Sequence, residues 1–262
     1  MGKFNEGVSR IYAMNARMDR GIGRILEELD RYGLAENTIV LFASDNGPDF
    51  GGRADMSCVR YNASFNGSKC LAYEGGIRVP AIIRWPAAIK AAAVSNALLH
   101  FTDWLPTIAS AAGAPVPEHI RLDGKNQLPY LMGRGHAEQT LRFWQWNRYT
   151  PVANCNAAAR DGDWKLLRPM IREAFNLSPD DIALDRRLKY EPEDIAGICS
   201  GPEPPRSVPD PHPAMLFNLK DDPYEQHDLA QARPEIRDCL QSRLDDWFNR
   251  VESERPRISD RN

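Results

Sequence analysis

The clearest pattern in the chain is a helical repeat of apolar residues close to its start. Between Glu6 and Arg31 apolar residues recur at steps of three and four, which places them along one face of a helix. Gly33 follows in the manner of a C-cap residue and ends the helix. The pattern therefore predicts one long amphipathic helix. Its repeating positions are Val8, Ile11, Met18, Ile22, Ile25 and Leu29.

Strand-like runs follow this helix. Thr38–Ala43 is an unbroken apolar stretch, as expected of a buried parallel strand with helices on both faces. Val79–Trp85 is a second predicted strand, ended by Pro86, and Ala97–Phe101 is a shorter one. A helix is predicted around Trp104–Ala112. Because strands and helices alternate, the pattern predicts an α/β arrangement with a parallel sheet.

The pattern changes after about Gly135. A polar, proline-rich insertion between Pro169 and Pro213 is predicted to be loop. Residues 1–138 are therefore interpreted as part of a larger α/β domain, and residues 139–262 as a small C-terminal α+β subdomain that carries the insertion. The elements predicted in this subdomain are a strand at Leu141–Asn147, a hairpin at Asn156–Arg168 with its turn at Asp161-Gly162, a strand at Met215–Leu219 and a final helix at Arg233–Val251.

Composition narrows the class of protein. The 262 residues are 42% hydrophobic and 26% charged, an ordinary globular balance, and the net charge is -3. Basic and acidic residues are mixed along the chain, so no nucleic-acid footprint is predicted. No apolar run has the length of a membrane span and no signal peptide is visible, and the compartment is unknown. Five widely spaced cysteines without a Cys-x-x-Cys pair argue against a zinc site.

Two polar residues at the end of a predicted strand are candidate metal ligands. Asp45 and Asn46 follow the apolar run directly, where ligands bind in open α/β sheets. Their carboxylate and amide oxygens suit a hard divalent cation such as calcium or magnesium, although further ligands must come from elsewhere. Taken alone, an Asp-Asn-Gly sequence is more simply a turn after a strand.

Lys69 is the candidate for contacting an anion. Its ammonium could neutralise a sulfate or phosphate oxygen as charge develops in a transition state. Gly75 and Gly76 follow shortly afterwards and provide a bend that could close the same pocket. The alternative is a solvated loop lysine, the commoner fate of this residue type.

Together these segments resemble the sulfatase family of the alkaline-phosphatase-like superfamily. Their order and spacing carry the resemblance, which runs from about Tyr12 to the last helix, except for the insertion. The central segments are Asp45-Asn46-Gly47, Gly67-x-Lys69, Tyr73-Glu74-Gly75-Gly76-Ile77-Arg78-Val79-Pro80 and Arg84-Trp85-Pro86. The flanking segments are Tyr12-Ala13-Met14, Met18–Arg20, Gly23–Leu26, Phe101–Thr107, Arg160–Lys165, Leu216–Leu219 and Asp222–Glu225.

The resemblance implies a fold and a reaction. The fold is α/β: part of an alkaline-phosphatase-like sheet sandwiched by helices, then a small antiparallel sheet with a C-terminal helix. Family members hydrolyse sulfate esters with one calcium ion and a formylglycine, which is made from the first residue of a Cys/Ser-x-Pro/Ala-x-Arg motif. By position, Asp45 and Asn46 would be metal ligands. Lys69 would be catalytic and substrate-binding, contacting the sulfate. Sugar sulfates and aryl sulfates both remain open as substrates, and the oligomeric state is not predicted.

The chain departs from the family pattern in three ways. No run of the 262 residues matches the formylglycine motif, and the five histidines do not match the family's catalytic positions. Cys239–Arg243 is similar to the motif but has glutamine where the family has proline, and it lies inside the last predicted helix. Asn66 and Cys70 stand where the family commonly has arginine and glycine, which affects the placement of Lys69.

Three hypotheses follow. In the first, the chain is the C-terminal portion of a sulfatase and is inactive alone because its nucleophile is absent. In the second, it belongs to a phosphodiesterase or phosphonate hydrolase of the same superfamily, whose sites use two metals and more histidine ligands. In the third, it is a truncated remnant or a binding module without catalysis, with an exposed sheet edge and an exposed apolar face on its first helix.

Overall fold

The computed structural model describes residues 4–114, 116–117, 119–191, 193 and 203–255. The chain forms two compact units. Unit 1 comprises Met1–Ser64 and Ile77–Arg142, and unit 2 comprises Phe65–Gly76 and Phe143–Asn262. The helices are α1 Glu6–Arg31, α2 Glu74–Ile77, α3 Trp104–Ala111, α4 Leu128–Leu131, α5 Pro179–Tyr190 and α6 Pro234–Glu254. The strands are β1 Val40–Ala43, β2 Ala81–Arg84, β3 Arg142–Gln145, β4 Ala157–Asp161, β5 Trp164–Arg168 and β6 Met215–Asn218.

The first helix of unit 1 confirms the sequence prediction at both ends. The side chain of Asn5 caps α1 by accepting a hydrogen bond from the Val8 amide at 2.8 Å. After the helix, Gly33 takes a φ of +66°, a conformation that glycine adopts without strain. The apolar face is covered only in part, because Val8 is buried whereas Ile25 is 61% exposed.

The small sheet of unit 1 differs from the prediction. Strand β1 pairs with β2 in the antiparallel sense, with Val40 opposite Arg84 and Ala43 opposite Ala81. The predicted parallel pairing is therefore wrong for these two strands, because an apolar run carries no information on strand direction and the long connection between them allows either sense. Strand β1 is half-buried along its whole length, not covered on both faces as predicted.

The strand predicted at Ala97–Phe101 is also wrong. Residues Phe101–Asp103 form a turn of 3-10 helix that leads into α3. The His100 ring accepts a hydrogen bond from the Thr102 amide, and the Asp103 carboxylate accepts one from the His100 amide at 2.8 Å, so the two residues form a capping box. Arg142 then donates two hydrogen bonds to the buried Asp103 carboxylate, at 2.7 and 2.9 Å.

This capping arrangement predicts a pH dependence of stability. Burial, assisted by the nearby Arg142 charge, lowers the pKa of His100, while Asp103 opposes part of that shift. The folded state therefore binds a proton less readily than the unfolded chain, and stability is lost as the pH falls through about 6.5. We expect the urea midpoint of unit 1 to fall less between pH 7.5 and 5.5 in His100→Gln than in the parent. His136→Gln, at an exposed position, is the control and should leave the dependence unchanged.

Unit 2 is organised around a four-stranded sheet in the order β3-β4-β5-β6. The predicted hairpin is confirmed as β4 and β5, with Asp161 opposite Trp164, so its two turn residues are Gly162-Asp163, one position later than predicted. Helix α6 packs against β4 and β5. The core consists of Ala72, Ala158, Leu167, Phe217 and Leu219, with a second cluster of Cys155, Ile171 and Ala174.

The insertion contains a helix that the sequence analysis placed in loop. Helix α5, Pro179–Tyr190, begins where the Ser178 hydroxyl accepts a hydrogen bond from the Asp181 amide, and Pro179 occupies a favoured first-turn position. The prediction of loop is therefore wrong for this part of the insertion. It was based on the density of prolines, and one of them, Pro179, starts a helix. Residues 192 and 194–202 of the insertion lie outside the described residues. In the part that is described, no helix is long and apolar enough to cross a membrane.

Candidate active site

The two predicted metal ligands lie in unit 1, directly after β1. Asp45 is exposed, and its Oδ1 atom accepts a hydrogen bond from the Asn46 amide at 3.0 Å. The Ser44 hydroxyl donates to the Asn46 carbonyl at 2.8 Å. These local bonds are those of a turn, which is the simpler interpretation of this sequence. The same turn presents a carboxylate and an amide at the end of a strand.

The chemistry of these donors fits calcium in kind. Carboxylate and amide oxygens are hard ligands, and calcium takes six to eight of them. Among the described residues, no group of three or more histidine, cysteine, aspartate or glutamate side chains is placed to hold a metal. Two ligands are too few for calcium, and the assignment of Asp45 and Asn46 as metal ligands stays a prediction.

Lys69 lies in unit 2, within the stretch Phe65–Gly76 that precedes the rest of that unit in sequence. We call this stretch the Lys69 segment. Lys69 itself is exposed. The segment is tightly folded, since the Gly75 amide donates to the Asn66 carbonyl at 2.7 Å. A Cβ on Gly75 or Gly76 would overlap with backbone carbonyl oxygens of the same segment, so only glycine fits at either position. The bend predicted from these glycines is a close approach of backbone to backbone.

Asn156 fastens this segment to the body of unit 2. Its fully buried side chain donates to the Cys70 carbonyl at 2.8 Å and to the Trp146 carbonyl at 2.6 Å, and it accepts from the Ala72 amide at 2.9 Å. Two of these hydrogen bonds, to the Cys70 carbonyl and from the Ala72 amide, hold the backbone on the C-terminal side of Lys69, and the third joins Asn156 to Trp146. The sequence analysis did not identify Asn156, because a single asparagine in a loop carries no such signal.

A buried ion cluster fastens the far end of the same segment. Lys165 is fully buried, and its Nζ atom lies 2.9 Å from Glu74 Oε1 and 2.7 Å from Glu225 Oε1. Glu225 Oε2 also accepts a hydrogen bond from the Glu74 amide at 2.7 Å, and Arg160 lies 3.6 Å from Glu74 Oε2. We call Glu74, Arg160, Lys165 and Glu225 the buried ion cluster. The cluster therefore contains two basic and two acidic side chains.

Electrostatics couple Glu225 to Lys165 within the cluster. Burial raises the pKa of Glu225, and the charge of Lys165 opposes that shift. Because the cluster joins residues from three separate sequence segments that resemble the sulfatase family, these segments have a structural role. They hold the Lys69 segment in place.

Cys70 adopts a conformation that favours glycine, the residue that the family pattern commonly has at this position. Its φ is +72°, within the left-handed region that costs about 1 kcal/mol for a residue with a Cβ. In this conformation the Cys70 carbonyl accepts a hydrogen bond from the Asn156 side chain at 2.8 Å.

This strain leads to a prediction. Replacing Cys70 by glycine should raise the free energy of unfolding by about 0.5–1 kcal/mol, because the relief of strain exceeds the added entropy of the unfolded chain. The measurement is urea unfolding of the full chain. Cys58→Gly is the matched control, since Cys58 is also partly buried but does not have a positive φ. It should be destabilised, and stabilisation of both variants alike would contradict the explanation.

Cys239 is an exposed residue of α6 and makes no disulfide. The run Cys239–Arg243, which is similar to the formylglycine motif, is therefore regular helix, as the sequence analysis predicted.

Comparison with known proteins identifies the family. The family model "Sulfatase" matches residues 3–114, and the model "N-sulphoglucosamine sulphohydrolase, C-terminal" matches residues 65–185. Steryl-sulfatase of Mus musculus is 31% identical over 235 residues, which cover 85% of this chain and 34% of that protein. N-acetylgalactosamine-6-O-sulfatase of Bacteroides thetaiotaomicron is 30% identical over 226 residues, or 84% of this chain and 38% of that protein.

A solved structure agrees with these matches. It comes from work on the metabolism of multiple glycosaminoglycans by Bacteroides thetaiotaomicron, is 26% identical and has a TM-score of 0.60. The match covers 87% of this chain and 42% of that chain. This chain therefore spans between a third and two fifths of the length of the curated relatives named above. Its sequence and its fold agree in placing the chain in the sulfatase family, within the alkaline-phosphatase-like superfamily.

Proposed function

We propose that this chain supplies part of the metal and sulfate site of a sulfuric ester hydrolase that acts on a sulfated sugar or an aryl sulfate. The observation that carries the proposal is the Lys69 segment. Two separate devices, the Asn156 side chain and the buried ion cluster, hold it. An exposed loop lysine without a role needs no such support. The relatives named above are sulfatases for a steroid and for a sugar, which favours a sulfate ester as the substrate.

Each candidate residue has a distinct role in this proposal. Asp45 and Asn46 hold one calcium ion, which when bound withdraws charge from the sulfate oxygens. Lys69 donates to a sulfate oxygen and neutralises the charge that develops as the ester bond breaks. The roles of all three residues follow from their positions in the family pattern.

The nucleophile is not among these 262 residues, because no run matches the Cys/Ser-x-Pro/Ala-x-Arg motif. We therefore derive no step through formylglycine from this chain, and we expect the chain alone to be inactive towards sulfate esters. The non-catalytic alternative rests on this observation. A phosphodiesterase or phosphonate hydrolase would bind two metal ions, so counting bound metal in the complete protein separates it from a sulfatase.

The DNA sequence upstream of the Met1 codon tests the proposal directly. The family pattern also has two adjacent aspartates ahead of the segments found here. An in-frame extension that encodes this pair and the formylglycine motif would support the sulfatase function. An in-frame stop codon would reject it for this chain and leave the non-catalytic remnant.

Lys69→Ala then tests the role of the lysine in a form of the protein that carries the motif. Loss of one charge-stabilising donor should lower kcat by about 10²–10³ while the urea midpoint stays the same, since Lys69 is exposed. Lys220→Ala is the control, because Lys220 is also an exposed lysine of unit 2. Equal activity of the Lys69 and Lys220 variants would remove Lys69 from the site.

A further inference from the structure

A small groove in unit 2 lies between the end of β3 and the last turns of α6. Its volume is about 220 Å³, below the range of 300–1,000 Å³ typical of drug-sized ligands, so it suits a single small ring. We call it the aromatic groove and define it by six of its lining residues. These are Gln145, Trp146, Asn147, Trp247, Phe248 and Glu252. None of them belongs to the candidate active site.

The aromatic residues of the groove are held in place by neighbours. Trp247 stacks on Phe143 with ring centroids 5.0 Å apart and an angle of 10° between the planes. Trp146 is 38% exposed and packs at a tilt against Phe175, with centroids 5.1 Å apart. Stacking covers one face of a ring only, and an indole also offers an N–H donor at its edge. The groove therefore combines fixed apolar faces with hydrogen-bond donors.

The amides of the groove are also held by the backbone. Gln145 Nε2 donates to the Val152 carbonyl at 2.8 Å, which leaves its Oε1 atom as an acceptor. Asn147 is placed, in its satisfied orientation, between the Arg148 carbonyl and the Val152 amide, each at 3.2 Å. The polar groups are therefore ordered before any ligand binds, which reduces the entropic cost of binding.

An exposed arginine lies next to the groove, over the ring of Trp146. The Arg148 guanidinium lies 5.2 Å from the centre of the Trp146 ring and is exposed. Within the described part of the chain, no carboxylate forms an ion pair with Arg148. Glu252, the acidic residue of the groove, is already paired with Arg255 at 2.6 Å. Among the described residues, the groove thus has next to it a cation without a carboxylate partner, and guanidinium groups bind tetrahedral oxyanions through paired donors.

We propose that the aromatic groove is a second, non-catalytic binding site for one sulfated pyranose residue. The apolar face of the sugar ring lies on an indole, its hydroxyl groups meet the Gln145 amide oxygen, and its sulfate pairs with Arg148. A neutral apolar ligand would leave the amides and the cation unused. The choice of a sulfated sugar, rather than another anionic ring, rests on the proposed function. The existence of a binding site in the groove rests on the groove's own geometry and charge.

Titration of the full chain with N-acetylgalactosamine 6-sulfate tests the proposal. The six tryptophan indole N–H signals are followed by two-dimensional NMR of 15N-labelled protein, with Trp146→Phe and Trp247→Phe used for assignment. We expect the Trp146 and Trp247 signals to shift and the Trp85 signal of unit 1 to stay in place. Unsulfated N-acetylgalactosamine should bind at least about fivefold more weakly.

Substitutions distinguish binding of the sugar sulfate in the groove from binding elsewhere on the chain. Arg148→Gln should raise the Kd about fivefold or more, whereas Arg186→Gln, an exposed arginine of α5, should not change it. Lys69→Ala should also leave the Kd unchanged, so the result does not depend on the hydrolase proposal. Shifts that are absent, or that persist unchanged in Arg148→Gln, would overturn the inference. Equal affinity for inorganic sulfate would show an anion site only, and would overturn it for sugars.

Discussion

Replacing Lys165 by methionine is expected to lower the free energy of unfolding of unit 2 by about 3–5 kcal/mol. The ammonium is fully buried between Glu74 and Glu225, at 2.9 and 2.7 Å. Removing it takes away the cation that lies between the two buried carboxylates, and methionine fills the space without offering a donor. Urea unfolding of the full chain measures the loss.

Lys189→Met provides a matched control for this experiment. Lys189 also forms an ion pair, with Asp185 at 2.6 Å, but both side chains are exposed and lie on successive turns of α5. Such a pair contributes only about 0.3–0.5 kcal/mol, so this variant should unfold close to the parent. A loss below about 1 kcal/mol in Lys165→Met would contradict the description of the cluster as an interdependent buried unit.

The contacts of the cluster also predict which part of unit 2 opens first in Lys165→Met. Because Glu225 accepts from the Glu74 amide, disturbing the cluster should free the Lys69 segment before the sheet opens. Hydrogen exchange at the Gly75 and Gly76 amides is expected to accelerate in Lys165→Met relative to amides of β4. Uniform acceleration of both would mean that the cluster stabilises the unit as a whole and has no special link to the segment.

Much of the fold could be predicted from the periodicity of apolar residues, and each wrong prediction has a physical cause. Helix α1 has a regular apolar repeat and a glycine after its end, so its extent, from about Glu6 to Arg31, was predicted and is confirmed. The direction of β2 relative to β1 was not predictable, because strand pairing depends on contacts distant in sequence. Helix α5 was missed because Pro179 starts it, although its neighbour Ser178 is a recognisable cap. The division of the chain at residues 138 and 139 stays a prediction.

The sequence predicted only some of the residues of the candidate site. Asp45, Asn46 and Lys69 were identified from segment order, and their roles stay predictions. Lys165 has a sequence context that indicates a buried ion pair, although less clearly. It lies inside the run Trp164–Leu167, where a lysine on a buried strand requires partner carboxylates. Which carboxylates these are depends on residues about 60 and 90 positions away, and no local pattern identifies them.

The two halves of the proposed site have different structural support. Lys69 is exposed, but the segment around it is fixed by buried groups of unit 2. In the part of the chain that the structure describes, the Asp45 side chain is held by its own turn, through a hydrogen bond from the neighbouring Asn46 amide. Substitutions around Lys69 therefore act through stability as well as function, whereas substitution of Asp45 should act on function with little change in folding. Asp45 is the cleaner test of the metal hypothesis.

Asp45→Asn is expected to lower kcat/KM for a sulfate ester by about 10³ or more in a form of the protein that carries the formylglycine motif. The substitution keeps the size of the side chain and one oxygen but removes the negative charge that attracts calcium. Asp49→Asn is the control, because Asp49 is an exposed aspartate of the same loop and accepts a local hydrogen bond from Gly51. It should retain activity within about twofold.

Calcium-dependent stability supplies a second readout that does not require turnover. A ligand that binds only the folded state raises its stability in proportion to the logarithm of its concentration. In that same form of the protein, the melting temperature should rise with calcium for the parent and for Asp49→Asn, and should stay flat for Asp45→Asn. If Asp45→Asn kept the full calcium response, the ion would be held elsewhere, and the assignment of Asp45 as a metal ligand would have to be withdrawn even if activity were lost.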